Sequence, residues 1–327
     1  MKLVIAIPHR FALWDAPPWF SERLRREFPE LEVAHLDNYS TLEREIADAD
    51  IVLARSLKAE QVRAAKKLKW IYSAAAAIHS LMIPEIVNSD VVVTNASWVH
   101  GPVVAEHAMA MILAIGRRID LAVKAQTRHQ WMQEEIWTSS PGPRDIAGST
   151  LIVVGLGHIG TPLVRHAKAL GMRVFAVREH TERGREGADA VYATRDLPRI
   201  LPEADFVLLC APVTPATQHA FGREQFVAMK KDAYILNVGR GALIDEPALI
   251  EALREHRIGG AALDVTTEEP LPADSPLWDL DNCMITPHTA GISPKLWERQ
   301  YTYFADNLRR FLAGKPLHGL VDKSRGY

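Results

Sequence analysis

A hexapeptide with three glycines, Gly155-Leu156-Gly157-His158-Ile159-Gly160, sits between the apolar, β-rich run 151–154 and the helix-like stretch 161–170. A strand, a tight turn and a helix in that order make one βα unit, which few other local sequences specify as firmly. Each glycine has a physical job. The first permits the turn, the second lets backbone approach a pyrophosphate, and the third lets helix and strand pack closely, while the helix N-terminus offers free N–H groups to the anion. The spacing G-x-G-x-x-G alone often marks a plain turn. The flanking strand and helix supply the context that a dinucleotide site requires.

The residue that ends the following strand discriminates between nicotinamide cofactors: an acidic side chain accepts from a ribose 2′-hydroxyl, and an arginine accommodates a 2′-phosphate. In the segment 171–181 the expected acidic position holds Arg178. Arg178, helped by His180, Thr181 or Arg183, favours NADP, while the adjacent Glu179 keeps NAD open. The other reading of Arg178 is a solvated loop residue lying over the adenine.

The βα alternation extends well beyond this unit. Short apolar runs at 3–7, 31–35, 51–54, 70–72 and 91–94 alternate with helix-like stretches at 19–28 and 42–47. That pattern predicts a parallel sheet covered by helices on both faces. The alanine-rich apolar run 104–116 reads as a buried helix crossing between domains. A second series of runs follows at 151–154, 173–177, 206–210, 233–238, 260–265 and 284–286. The last helix-like stretch, 296–312, ends at Gly314-Lys315-Pro316 and belongs back on the first domain. The predicted fold is therefore α/β with two doubly wound parallel-sheet domains: residues 1–99 plus 292–327, discontinuous, for substrate, and 100–291 for the dinucleotide. An arm at about 120–147 carries Trp131, Trp137 and the loop Ser139-Ser140-Pro141-Gly142-Pro143, suited either to a partner subunit or to packing on its own domain.

Bulk properties narrow the partners. The 327 residues exceed one ordinary core, and 48% hydrophobic with 24% charged residues is a globular composition. With 38 basic against 40 acidic residues, nothing asks for nucleic acid, and a small-molecule partner fits better. The two cysteines, Cys210 and Cys283, lie in apolar strand-like runs, which argues against a disulfide framework or a cysteine-rich zinc site. The N-terminal apolar run is too short for a signal segment and no window approaches 18 uninterrupted apolar residues, so the expectation is a cytoplasmic chain with no membrane partner.

Three later strand ends carry unusual residues: Asn237-Val238-Gly239-Arg240-Gly241, the stretch from Asp264 to Glu269-Pro270, and Thr286-Pro287-His288-Thr289-Ala290-Gly291. Carboxyl ends of parallel strands are where ligands bind, so Arg240, Glu269 and His288 are expected to converge. Hydride transfer between a 2-hydroxy acid and a nicotinamide needs one group to move the hydroxyl proton and another to fix the carboxylate. Histidine is the natural acid/base near neutrality, a carboxylate such as Glu269 orients it and favours its protonated form, and Arg240 grips a carboxylate in forked geometry. Asp264 suits the nicotinamide carboxamide. No metal site is predicted, because no His/Cys/Glu cluster near His288 has ligand spacing.

Taken together, these blocks resemble the D-isomer-specific 2-hydroxyacid dehydrogenases, which include glyoxylate/hydroxypyruvate reductases and phosphoglycerate dehydrogenases. The resemblance covers Val93-Thr94-Asn95, Val104-Ala105-Glu106-His107, the glycine turn, Cys210-Ala211-Pro212-Val213-Thr214-Pro215, the three strand ends, and Val321-Asp322-Lys323 with a terminal Gly326-Tyr327. It implies a flavodoxin-like substrate domain, a Rossmann cofactor domain and a homodimer formed largely through the cofactor domain. It also implies Arg240, Glu269 and His288 as catalytic residues. Gly155, Gly157, His158, Ile159, Gly160, Arg178, Cys210, Pro212, Thr217, Val238, Gly239, Asp264 and Gly291 are then the cofactor-binding set. The family's substrate-carboxylate loop is usually glycine-rich, whereas here it reads Ser73-Ala74-Ala75-Ala76-Ala77-Ile78-His79. Four alanines narrow it and restrict its φ angles, so Ala76 and Ala77 are expected to bind the acid in altered form, together with Arg240 and His288. Formate dehydrogenases of the superfamily carry Gln where Glu269 stands, which argues against that branch. The leading expectation is reduction of a small 2-keto acid, or the reverse oxidation. A dinucleotide-sensing corepressor-like protein and a phosphite-type dehydrogenase are the alternatives.

Overall fold

A computed structural model describes every residue of the chain except Arg325 and Tyr327, so the terminal tyrosine of the family-like tail lies outside the described residues. The chain divides into two compact units, Met1–His100 with Ile292–Tyr327, and Gly101–Gly291.

The first unit holds β1 (Lys2–Ala6), β2 (Glu32–His35), β3 (Ile51–Ala54), β4 (Trp70–Ser73) and β5 (Val92–Asn95), all parallel, in the order β2-β1-β3-β4-β5. That is the flavodoxin order. β1, β3 and β4 are buried throughout, which is why they read as unbroken apolar runs rather than alternating ones. One sheet face packs Leu3, Ile5, Trp70 and Tyr72 against the helices Pro18–Glu27 and Leu296–Leu312. The other packs Val4, Val52 and Ile71 against Leu42, Ile46 and Ile86. The helix Leu296–Leu312 buries Leu296, Gln300, Tyr301, Phe304 and Leu308, a stripe at helical spacing, and Phe304 stacks on Trp70 with ring centroids 5.4 Å apart.

The second unit holds β6 (Thr150–Val154), β7 (Arg173–Val177), β8 (Ala190–Tyr192), β9 (Phe206–Leu209), β10 (Tyr234–Asn237), β11 (Gly260–Leu263) and β12 (Cys283–Ile285), parallel throughout and ordered β12-β11-β10-β9-β6-β7-β8. Six of them follow the Rossmann order, with β12 added beyond β11, and the strand order reverses between β6 and β9. β8 is absent from the sequence expectation. It has three half-buried residues on the sheet edge and no apolar run to announce it. Among the described residues one helix, Ser97–Gly116, is long and apolar enough to cross a membrane. Its Val104, Ala105, Ala108, Ile112 and Ile115 lie in the core of the second unit. The arm forms two short helices, Ile119–Gln126 and Gln133–Thr138, and leaves Trp131 90% and Trp137 75% exposed. Packing of these rings on their own unit, one of the two readings of the arm, is therefore not what the structure shows.

Candidate active site

Gly155 follows β6 with φ +108°, a left-handed conformation that side chains rarely adopt. A Cβ on Gly155 would stand 2.7 Å from the Ala211 nitrogen, and one on Gly160 would stand 2.1 Å from the Gly155 carbonyl oxygen. The helix Gly160–Ala169 thus begins hard against the strand end. Gly157 differs: a Cβ there meets no atom within 4 Å. The space over it is an open cradle before a helix N-terminus, which suits the pyrophosphate of a dinucleotide held by the backbone of Gly157, His158 and Ile159. Gly101 closes the back of the turn, since a Cβ on it would lie 2.2 Å from the His158 oxygen. Sequence reading did not single out Gly101, because nothing local to it reveals a neighbour 57 residues away.

The Gly155 N–H donates to Val177 O at 2.9 Å, so the end of β7 lies beside the turn. Arg178 comes next, half-buried, and among the described residues its guanidinium has no hydrogen bond or ion pair. Glu179 is exposed and lies 4.0 Å from His180, which sits 3.3 Å from Glu182. The Cys210 thiol donates to Gly155 O at 3.0 Å. Burial pushes that thiol up to about 12, so it keeps its proton and braces the turn permanently. In the loop after β9, the Thr217 hydroxyl donates to Pro212 O at 2.7 Å and accepts from the Thr214 N–H at 2.8 Å. Thr217 thereby stiffens that loop.

β10, β11 and β12 are neighbours in register, Asn237 beside Leu263 and Leu263 beside Ile285, so their carboxyl ends are level. Asn237, fully buried, clamps the first loop by donating to Arg240 O at 2.8 Å and accepting from the Gly239 N–H at 3.0 Å. Val238 is 5% exposed and its N–H donates to Leu209 O. The sequence reading gave the glycines flanking Arg240 the task of leaving its side chain room. Gly241 has another: a Cβ on it would stand 2.0 Å from Thr266 O, so the loops after β10 and β11 touch backbone to backbone. Burial lowers the Arg240 pKa, and the negative charge of Glu269 opposes that shift. In the second loop the Thr266 N–H donates to Glu269 Oε1 at 3.2 Å, and Glu269 Oε2 lies 2.5 Å from His288 Nδ1. Of the three residues expected to converge, Glu269 and His288 are in contact, and Arg240 is near enough for the Glu269 charge to act on it. Their site is open, with the His288 side chain 49% and the Glu269 side chain 35% exposed.

His288 itself has φ +53°, a strained conformation for a non-glycine residue, and its N–H donates to Asp264 O and Thr286 O at 2.9 Å each. Asp264 is 2% exposed. Its carboxylate accepts from the Thr286 hydroxyl at 2.6 Å, from the Thr289 N–H at 2.9 Å and from the Ala290 N–H at 3.1 Å. His107 Nε2 lies 3.0 Å from Thr286 Oγ1 and 3.5 Å from Asp264 Oδ1. The residue that the sequence assigns to the nicotinamide carboxamide thus anchors the loop from 286 to Gly291, a duty that its spacing does not disclose.

The family described as "D-isomer specific 2-hydroxyacid dehydrogenase, NAD binding domain" matches residues 109–290. The chain belongs to the D-isomer-specific 2-hydroxyacid dehydrogenases. It is 34% identical over 303 residues to a D-3-phosphoglycerate dehydrogenase of Methanocaldococcus jannaschii, a match covering 92% of this chain and 57% of that longer protein. It is also 34% identical to a glyoxylate/hydroxypyruvate reductase B of Escherichia fergusonii, with 94% of each chain covered. Among solved structures, a NADPH-dependent glyoxylate/hydroxypyruvate reductase of Sinorhizobium meliloti, in complex with NADP and sulfate, aligns with TM-score 0.83 at 25% identity, covering 100% of this chain and 99% of that one.

In this chain the alanine loop of the first unit follows β4 and is tied down at three successive carbonyls. Ala74 O accepts from Gln300 Nε2 at 2.6 Å, Ala75 O from the Ala96 N–H at 3.2 Å, and Ala76 O from Asn95 Nδ2 at 3.1 Å. None of the four alanines has a positive φ, so the loop keeps to the backbone range open to alanine. Among the described residues the N–H groups of Ala76 and Ala77 have no protein acceptor. Gln300, which sequence reading passed over, looks there like one more polar residue of an amphipathic helix.

Proposed function

We propose that this dehydrogenase interconverts a small 2-keto acid of the glyoxylate or hydroxypyruvate type and its D-2-hydroxy acid, with NADP as the favoured cofactor. The observation that carries the reading is the 2.5 Å contact between Glu269 Oε2 and His288 Nδ1, beside an arginine loop in backbone contact with the glutamate loop. With Nδ1 committed to Glu269, His288 has Nε2 for substrate: it gives a proton to the carbonyl oxygen in reduction and takes it back in oxidation. The cofactor, when bound, supplies or accepts the hydride. Arg240 remains charged, and its forked donors match a carboxylate with its neighbouring carbonyl oxygen. The N–H groups of Ala76 and Ala77, without acceptors among the described residues, suit a carboxylate. Two considerations favour NADP: Arg178, half-buried beside the glycine turn and without a side-chain partner among the described residues, and the NADPH dependence of the S. meliloti protein. The exposed Trp131 and Trp137 support a homodimer built through the arm. The near-balanced charge, 38 basic against 40 acidic residues, supports a small-molecule partner rather than nucleic acid. A matrix of 2-keto acids against NADH and NADPH tests the whole reading. Turnover with glyoxylate or hydroxypyruvate is expected, faster with NADPH; cofactor binding without consumption by any 2-keto acid would refute it.

A further inference from the structure

We propose that Gln300, on the helix Leu296–Leu312, is a positioning residue that shapes the alanine loop into an anion cradle. The inference rests on the reading of that loop as the site for the substrate carboxylate. Gln300 is 2% exposed, and both ends of its amide are committed. Its Nε2 donates to Ala74 O at 2.6 Å and its Oε1 accepts from the Tyr72 hydroxyl at 2.5 Å. The reversed amide would set oxygen against the Ala74 carbonyl, so only this orientation is tolerable. Tyr72 is fully buried, and burial holds its pKa well above 10, so its hydroxyl keeps the proton that it donates.

Trans peptide geometry turns this clamp into a binding surface. In a planar trans peptide the carbonyl and the following N–H point in opposite directions. Holding the oxygens of Ala74, Ala75 and Ala76 toward Gln300, the Ala96 N–H and Asn95 turns the N–H groups that follow them away from those partners. The first of these, on Ala75, is taken up by Ser73 Oγ at 3.3 Å, and those of Ala76 and Ala77 are left for a ligand. Consecutive unpaired N–H groups form a concavity that favours anions. Gln300 is the nearer holder of the first carbonyl, at the point where the chain leaves β4; without it Ala74 O keeps only the 3.5 Å contact with His100 Nε2, and the peptide from Ala74 to Ala75, which leads into the two free N–H groups, is less firmly oriented.

The test compares the wild-type chain with Gln300→Leu and with the double variant Tyr72→Phe/Gln300→Leu. Readouts are keto-acid KM and kcat, the NADPH dissociation constant, the melting temperature, and the dissociation constant of the unreactive anion oxamate in the presence of NADPH. Gln300→Leu alone strands the Tyr72 hydroxyl and should melt lower, whereas the double variant removes that stranded donor and should recover most of the loss. In both variants KM and the oxamate constant should rise about five- to tenfold, as expected for the loss of one orienting hydrogen bond, with kcat and NADPH affinity near wild type. Recovery of KM together with melting temperature in the double variant would make Gln300 a purely structural residue and overturn the proposal, as would unchanged anion affinity in both. A wild-type chain that binds oxamate but turns over no keto acid would refute the substrate reading alone. A wild-type chain that binds no oxamate would refute the cradle.

Discussion

Gly241→Ala separates two loops that the site requires in contact. A Cβ at residue 241 would lie 2.0 Å from Thr266 O, 2.1 Å from Thr266 C and 2.4 Å from the Thr267 nitrogen, all backbone atoms that no rotamer change can move. Side-chain carbons do not come within 3.0 Å of such atoms, so the loops after β10 and β11 must part by at least about 1 Å. Arg240 rides on one loop and Glu269, with His288 attached, on the other. A displacement of ~1 Å between groups that must address one small substrate costs on the order of 100-fold in rate, about 2.7 kcal/mol of transition-state stabilisation. The same overpacking should cost about 1–3 kcal/mol of stability, which leaves a domain of this size folded. Initial-rate kinetics with the best keto acid, on protein whose melting curve shows it folded, should give kcat/KM lower by about two orders of magnitude. Affinity for NADPH should change far less, because the glycine turn and Arg178 follow β6 and β7. Activity within about threefold of wild type would show that the contact between Gly241 and Thr266 does not set the spacing of Arg240, Glu269 and His288.

Other substitutions separate the remaining roles. Gly157→Ala puts its methyl group into open space, so the chain should melt as wild type while NADPH binds at least about tenfold more weakly; an unchanged dissociation constant would mean that no pyrophosphate lies over this glycine. Stopped-flow or steady-state assays of His288→Ala should show turnover reduced by at least about 100-fold with NADPH affinity kept, and near-normal turnover would remove His288 as the acid/base. Replacing Arg178 by Ala should weaken NADPH binding by about tenfold or more and leave NADH nearly unaffected in parallel titrations, since only the 2′-phosphate loses a charged partner; equal losses would place Arg178 elsewhere.

Local spacing makes a large part of this protein legible. The buried parallel strands read as apolar runs because both their faces are covered, and the glycine turn is recognisable because tight turning, backbone approach and helix packing fall on three nearby positions. Arg240, Glu269 and His288 stand out for a related reason, each lying just beyond an apolar run and carrying chemistry that a plain loop does not need. β8 escapes because a short, half-buried edge strand needs no apolar run.

Residue order and spacing by themselves determine the α/β class and the dinucleotide turn and single out Arg240, Glu269 and His288 as candidates, because each depends on the physical properties of neighbours in the chain. Only the tertiary structure decides what holds those pieces in place. Cys210 braces Gly155 across 55 residues, His107 meets Thr286 across 179, and Gln300 fixes Ala74 across 226. Asp264 becomes the anchor of the His288 loop, and Gly241 the point where two loops touch, for the same reason. Such contacts are made by chain segments that meet only when parallel strands are laid side by side in a particular order, and one segment's sequence carries no record of the other's position.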